Sequence, residues 1–371
     1  MTLYRVDGIA YRVATKLDEP VLKKLLGENS MHSWVNITLR REPNYFDADN
    51  LMGESVTVIA HKQDNKKTII GMYSCTLFKL FFRGKEESIV YLNSLRVNPD
   101  FRHKIRFLKE GFVSIGKLIP FRATLPFMFT SIASENFSAK RVLESNMKGM
   151  PRYVPLAKMS TFTFTANRAR INGLCQKAGR SDINSIARFY NQCLQNCDFA
   201  PVMSKSWLTA LDGSKGLRIE DFYLVKSREG EIKAVFALWD QRKIKQVVIE
   251  SYKPPLDKFR FLYNIYAKIS GGIPLPKEGS SLEQIFIAFF ATLSKERQWI
   301  VEILKEASML TAEKDAALCT IGFASGNPIC TLMRDALQAK EYQTDIEAVF
   351  LSGSAKKEID VSNIQPEIAL L

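Results

Sequence analysis

The sequence predicts an α/β protein in which a mixed, mostly antiparallel sheet covered by helices occurs twice. Three observations carry this expectation. First, Val56 to His61, Ile69 to Lys79 and Ile89 to Val97 are apolar, β-rich runs parted by polar turns at 63–67 and by Gly84, the pattern of long antiparallel hairpins. Second, these strands lead into a helix from Ile105 to Ile119, a strand at 127–133 and a helix at 137–146, so helices cover the sheet. Third, residues 171–371 repeat the order more weakly. The chain therefore divides into two units, 1–170 and 171–371, at the polar, glycine-bearing stretch Asn167–Arg180.

Along the first unit, a strand spans Ile9 to Ala14. A helix starts at Asp18-Glu-Pro20, where acids and a proline suit a first turn, and stops by Gly27. A second helix is expected over 31–41, then an irregular link at 41–46, and the unit closes on a strand from Lys158 to Thr165. The second unit opens on a capped helix at Ser181-Asp-Ile-Asn184. A hairpin follows, Phe222–Val225 with Lys233–Trp239, and further strands at Gln246–Tyr252 and Gln284–Thr292. A helix over 295–311, a strand Ala317–Phe323, a helix from Pro328 to Gln338 and a strand Ala348–Leu351 complete it.

With 371 residues, 46% apolar and 25% charged, the chain is long enough to bury two cores. No apolar run reaches the ~18 residues of a membrane span, and no membrane partner is expected. The start, Met1 to Gly8, lacks the basic-then-apolar order of a secretory signal. A cytoplasmic location follows, with Cys75, Cys175, Cys193, Cys197, Cys319 and Cys330 as reduced thiols. His32, His61 and His103 have no metal-ligand spacing, so no metal is expected. The net charge of +13 is lopsided. Residues 1–170 hold 27 Lys+Arg against 15 Asp+Glu, and the remainder 25 against 24. The first unit therefore faces an anion; no nucleic-acid motif accompanies the charge.

The run Leu95-x-Val97-x-Pro99-x-x-Arg102, followed by a strand and then Asn136-x-x-Ala139, resembles the acetyl-CoA-binding core of GNAT-type N-acetyltransferases. The whole chain resembles bacterial tandem proteins of this type, and the implied fold is a tandem pair of GNAT-like (acyl-CoA N-acyltransferase) domains. The resemblance implies acetyl-CoA or another acyl-CoA as co-substrate. Leu95, Arg96 and Val97 would pair with its pantetheine arm, and Arg102, His103, Lys104, Ile105, Arg106, Phe107 and Asn136 would hold its phosphate end. The family pattern places glycines about where His103, Ile105 and Phe107 stand. Glycine there permits positive φ and close approach to the pyrophosphate, and a left-handed non-glycine residue costs roughly 1–2 kcal/mol. Arg102, His103, Lys104 and Arg106 offer direct charge in compensation. The corresponding crossing of the second unit, Thr292 to Trp299, has neither glycine nor Pro-x-x-Arg, so at most one CoA per chain is expected, in the first unit.

In the family a tyrosine on the helix after the Asn-x-x-Ala turn often protonates the departing thiolate; that position is Leu143 here, which cannot. Tyr91 and Tyr153 are the tyrosines left near this core. Candidate bases are Glu42, Glu86, Glu87 and Glu135. Glu42 and Tyr45 lead, because the loop after the second helix walls the acceptor pocket in this family. Asn93, expected on the same strand face as Leu95, could orient a water. The reading is an acyl-CoA-dependent N-acetyltransferase acting on an unknown amine. The alternative is a catalytically inactive binding or scaffold protein with a basic first half. An oligomer is left open.

Overall fold

The computed structural model describes residues 2–28, 35–102, 104–118, 123–270, 272–351, 359–361 and 363–371, without the side chains at 268 and 270. His103 lies outside the described residues. The first unit contributes strands β1 (Thr2–Val6), β2 (Ile9–Val13), β3 (Val35–Arg40), β4 (Glu54–Lys62), β5 (Ile69–Phe82), β6 (Lys85–Val97), β7 (Met128–Ala133) and β8 (Arg152–Thr165). Its helices are α1 (Glu19–Gly27), α2 (Ile105–Ile115) and α3 (Phe137–Leu143). The second contributes β9 (Gln176–Lys177), β10 (Phe222–Lys226), β11 (Ile232–Trp239), β12 (Gln246–Tyr252), β13 (Gln284–Thr292), β14 (Leu318–Ala324) and β15 (Lys340–Phe350). Its helices are α4 (Ile183–Leu194), α5 (Lys205–Thr209), α6 (Leu256–Ser270), α7 (Arg297–Glu313) and α8 (Ile329–Asp335). No helix among the described residues is long and apolar enough to cross a membrane.

Thirteen strands form one sheet in the order β1-β2-β4-β5-β6-β7-β15-β8-β14-β13-β11-β10-β9, while β3 and β12 pair separately with each other. Alternation along β5, reset by a bulge at Ile70 opposite Ala60 and His61, sorts the two faces. Ile70, Tyr73 and Cys75 pack under α2 with Val90, Leu92, Phe107 and Leu143. Met72 points the other way, into a cluster with Leu22, Leu25 and Leu26 of α1 and with Tyr45. Pairing in β5–β6 follows the long hairpin expected around Gly84, where Arg83 and Gly84 both take positive φ.

Several stretches depart from the sequence reading: β1 and α6 stand where no element was expected, and two others differ in kind or extent. The helix expected over 31–41 is, within the described residues, the strand β3, paired antiparallel with β12. Val35, Ile37 and Leu39 alternate with polar residues, a period of two that outweighed helix propensity. The closing strand expected at Ala348–Leu351 starts at Lys340, because the polar residues Lys340–Gln343 pair along β8, before β7 joins on the other side at Thr344, and are held by hydrogen bonds rather than by burial.

The halves are joined by a strand exchange. β15, from the end of the second unit, runs between β7 and β8 of the first. β8 in turn pairs with β14 of the second unit and makes no pairing with β7. Ile346 and Val349 of β15 are wholly buried and Phe350 is 7% exposed. Burial of such side chains is worth roughly 1.5–3 kcal/mol each, so these three match much of the ~5–15 kcal/mol that a domain has in total. We therefore expect chains 1–170 and 171–371, made separately, to lack a cooperative thermal transition. Co-expressed, they should associate and recover one. Cooperative unfolding of either piece alone, followed by circular dichroism, would show that the exchange is dispensable.

Candidate active site between diverging strands

β6 and β7 run parallel but pair only through Tyr91 with Phe129 and Leu92 with Thr130. Beyond Leu92, β6 continues along β5 to Val97 while β7 diverges, leaving a wedge in which one edge of the 93–97 backbone is open among the described residues. A β-bulge lies at its mouth: Met72 pairs with Arg96 and Ser74 with Asn93, so Tyr73 of β5 faces both Ser94 and Leu95 of β6, and Ser94 takes φ +54. A non-glycine residue in this region is uncommon, and bulges of this kind re-aim side chains beside active sites.

The bulge changes the predicted site. Asn93 does not share a face with Leu95. The extra residue breaks the alternation, so Leu95 packs into the α2-side core. Asn93 points to the α1 side, where its Nδ2 donates to Thr76 Oγ1 at 3.2 Å and its Oδ1 accepts from Ser94 Oγ at 2.9 Å. Arg96, opposite Met72, follows Asn93 onto the α1 side. Tyr45 is fully buried there beside Met72, with the Arg41 guanidinium 4.6 Å from its ring centre. Glu42 turns away: its carboxylate accepts from Lys23 at 2.7 Å and its backbone is clasped by Gln246.

On the α1 side the electrostatics are cationic. Arg41 is answered by Asp49 at 2.9 Å, whose own carboxyl is pushed up chiefly by burial. Lys245 donates to Leu371 O at 2.7 Å and is pushed down to about 8, first by burial and then by Arg41. Among the described residues Arg96 donates only to the neighbouring Leu95 O, and its Nε and the Tyr45 hydroxyl are both buried without a partner. Burial lowers Arg96, while Tyr45 and Tyr91 act on it electrostatically in the opposite sense. A desolvated cation beside an unsatisfied hydroxyl is costly unless something accepts from both.

The phosphate-end residues gather at the start of α2. Pro99–Phe101 forms a 3-10 turn capped by Asn98, and Arg102 and Lys104 both hold negative φ. None of the described residues here needs the glycine conformation, so the strain expected of a glycine-poor loop is absent from them. Arg102 Nε reaches back to Val97 O at 3.3 Å. Lys104 and Arg106 lie over the Phe107 ring at 5.7 and 5.1 Å. Phe107 is buried and Ile105 half-buried. Asn136 caps α3, its side chain accepting from Ala139 N at 3.2 Å. Leu143 is in the core. Tyr91 is buried, bonded to Ser131 at 2.6 Å and pushed up to about 12 mainly by burial.

The second unit has the same wedge. β13 and β14 pair in parallel from Gln284 to Phe286, and a second bulge follows at Phe289, φ +54. A strand–helix–strand wedge with a bulge, occurring twice across one sheet, decides the fold. The chain is a tandem GNAT fold. Solved structures agree. A Saccharomyces cerevisiae N-myristoyltransferase with bound myristoyl-CoA superposes with TM-score 0.62 at 11% identity, over 94% of this chain and 84% of that one. A GCN5-related N-acetyltransferase from Sphaerobacter thermophilus superposes with TM-score 0.53 at 11% identity, over 95% and 98%. No family model and no curated sequence matches the chain.

Within this tandem GNAT fold the second wedge is filled by the chain itself. Gln365 Nε2 donates to Gly322 O at 3.0 Å, and Gln365 Oε1 accepts from Ala324 N at 3.3 Å. The Glu367 carboxylate accepts from Phe289 N at the bulge, 2.6 Å, and from Ala369 N, 3.0 Å. Ile368 lies so close to Gly322 that a Cβ there would meet its side chain at 2.3 Å. No sequence motif marks this plug, Arg41 or Lys245, because each acts through a long-range contact.

Burial raises Glu367 to about 7 despite its two amide donors. Its native pKa lies above the unfolded value, so the native state binds the extra proton. The stability this gives is full below about 4.5 and is lost as pH rises through 7. The expected loss across that window is on the order of 3 kcal/mol. Thermal unfolding of the wild type between pH 4.5 and 7.5 should show this loss relative to Glu367→Gln. Parallel pH profiles for the two would place the charge elsewhere.

Proposed function

We propose that the chain is an acyl-CoA-dependent N-acyltransferase whose first wedge binds acetyl-CoA or another acyl-CoA and whose α1 side receives an amine. One observation carries the reading: of two wedges with the same geometry, the second is plugged by Gln365 and Glu367, while the first keeps the 93–97 backbone edge open beneath a cationic helix start. The solved N-myristoyltransferase complex supports acyl-CoA as the ligand class for a fold of this kind. The open edge suits the amides of a pantetheine arm, as an added strand would be held. Arg102, Lys104 and Arg106 suit the phosphates. Acyl transfer then forms a C–N bond as the C–S bond breaks; the thiolate leaves and the amine gives up a proton. Preorganised backbone donors at the Ser94 bulge suit the developing oxyanion.

The α1 side also indicates the acceptor. Arg96 and Tyr45 together present a desolvated cation and a free hydroxyl two residues from the bulge, so the amine acceptor carries a carboxylate. Glu42, held by Lys23, is less suited to act as base than a water bound by Asn93.

Titration calorimetry with acetyl-CoA and longer acyl-CoAs should give one site per chain, and Arg102→Ala should weaken it by roughly 1.5–3 kcal/mol. With a panel of amino acids and their carboxamides as acceptors, and thiol release as readout, Arg96→Ala should raise KM for the acids about tenfold and leave CoA affinity unchanged. A chain that binds no CoA thioester would leave the inactive scaffold. Binding without a preference for acids over amides would retain the transferase and remove the carboxylate site.

A further inference from the structure

The helix α6 is built inside out. Its polar groups face the protein: Asn264 bonds both the N–H and the carbonyl of Leu275, at 2.7 and 2.9 Å, and Arg260 donates to Pro276 O at 2.9 Å. Ala267 is buried. The outward side is apolar: Phe259, Phe261, Leu262, Ile265, Tyr266 and Ile269 are between 46% and 82% exposed. At about 100° per residue these six fall on one continuous arc of roughly 160°. If a large side chain presents about 200 Å² when open, the face amounts to roughly 700 Å², above the ~300–600 Å² of the largest patch on a typical monomer. Nothing in the sheet needs this face.

Charge identifies the occupant. Lys258, exposed, lies within the apolar arc between Ile265 and Ile269, and Lys253 is exposed just before the helix. Asp257, the acid of α6, lies to the side of the arc. A second copy of this chain would set Lys258 against an apolar face with no carboxylate to receive it. A membrane surface would not: the lysine stem lies along the apolar side chains while its ammonium reaches an anionic headgroup. The aromatic rings of Phe259, Phe261 and Tyr266 suit the headgroup boundary, and an in-plane helix needs no spanning length.

We propose that α6 is a peripheral membrane-binding helix that lies in the surface of an anionic bilayer, apolar arc downward. At 15 residues α6 is too short to cross a bilayer. The proposal rests on α6 alone and stands whether or not the first wedge carries acyl transfer.

Co-sedimentation of the full chain with vesicles tests it. The chain should sediment with phosphatidylcholine vesicles containing 30% phosphatidylglycerol, and less with pure phosphatidylcholine. Phe261→Glu/Ile265→Glu should cut partitioning at least tenfold, with an unchanged thermal midpoint as the control for folding. Lys258→Glu, which leaves the six apolar side chains in place, should reduce binding to the anionic vesicles several-fold and far less to the neutral ones. No binding to either vesicle, or equal binding by wild type and both variants, overturns the proposal. So does a concentration-dependent dimer in light scattering that the double variant abolishes, since a second copy would then cover the face.

Discussion

The placement of β15 between β7 and β8 is the constraint on which the rest depends. It closes the first half's sheet with a strand of the second, puts Ile346 and Ala348 against Phe78, Tyr91 and Phe129, and fixes the distance between the two wedges. Edges that would otherwise remain open at β7 and β8 are satisfied by hydrogen bonds from one strand. The same closure brings residues 364–371 back across the middle of the sheet. There Ile364 and Ile368 join the core beside Phe129, and Gln365 and Glu367 reach the second wedge.

Two copies of one geometry thus have different chemistry. Both bulges place a residue near φ +54, at Ser94 and at Phe289, yet the amide at Phe289 is spent on a carboxylate of the same chain. The charge asymmetry follows the same division. The half with the open wedge carries nearly all of the net positive charge, and its α1 side adds Arg41 and Arg96 close to Tyr45. An anion entering there meets donors already in place, so little reorganisation opposes binding.

Much of the fold was legible because it is written in local patterns. The long hairpins around Gly84, the strand entering Pro99 and the Asn136 cap are short-range features that residue order alone specifies. The tandem order was legible as well. β3 was misread since a six-residue strand has few positions to show its period, and its partner β12 lies some two hundred residues away. The bulge at Ser94 escaped because nothing in Asn93-Ser-Leu95 distinguishes a bulge from regular alternation, and that single residue decides which face Asn93 and Arg96 serve. Glu42 was chosen for its loop, and the loop is there, but Lys23 had already claimed its carboxylate. α6 went unread altogether, since no element was expected between Tyr252 and Gln284, and only the packing shows which of its residues face outward.

The strand exchange also sets the order in which this protein can become complete during synthesis. β8 is finished at Thr165, but neither its neighbour β15 nor the partner that β7 requires exists until Lys340 to Phe350 have been made. At typical elongation rates of about 5–20 residues per second, the first half waits roughly 10–40 s with β7 open on one edge and β8 without its neighbours. During that interval it is an unfinished sheet on the ribosome, exposed to strand addition from its neighbours. The surplus of lysine and arginine in those first 170 residues then has a second use: like charge keeps nascent chains on one message apart while each waits for its own last strand.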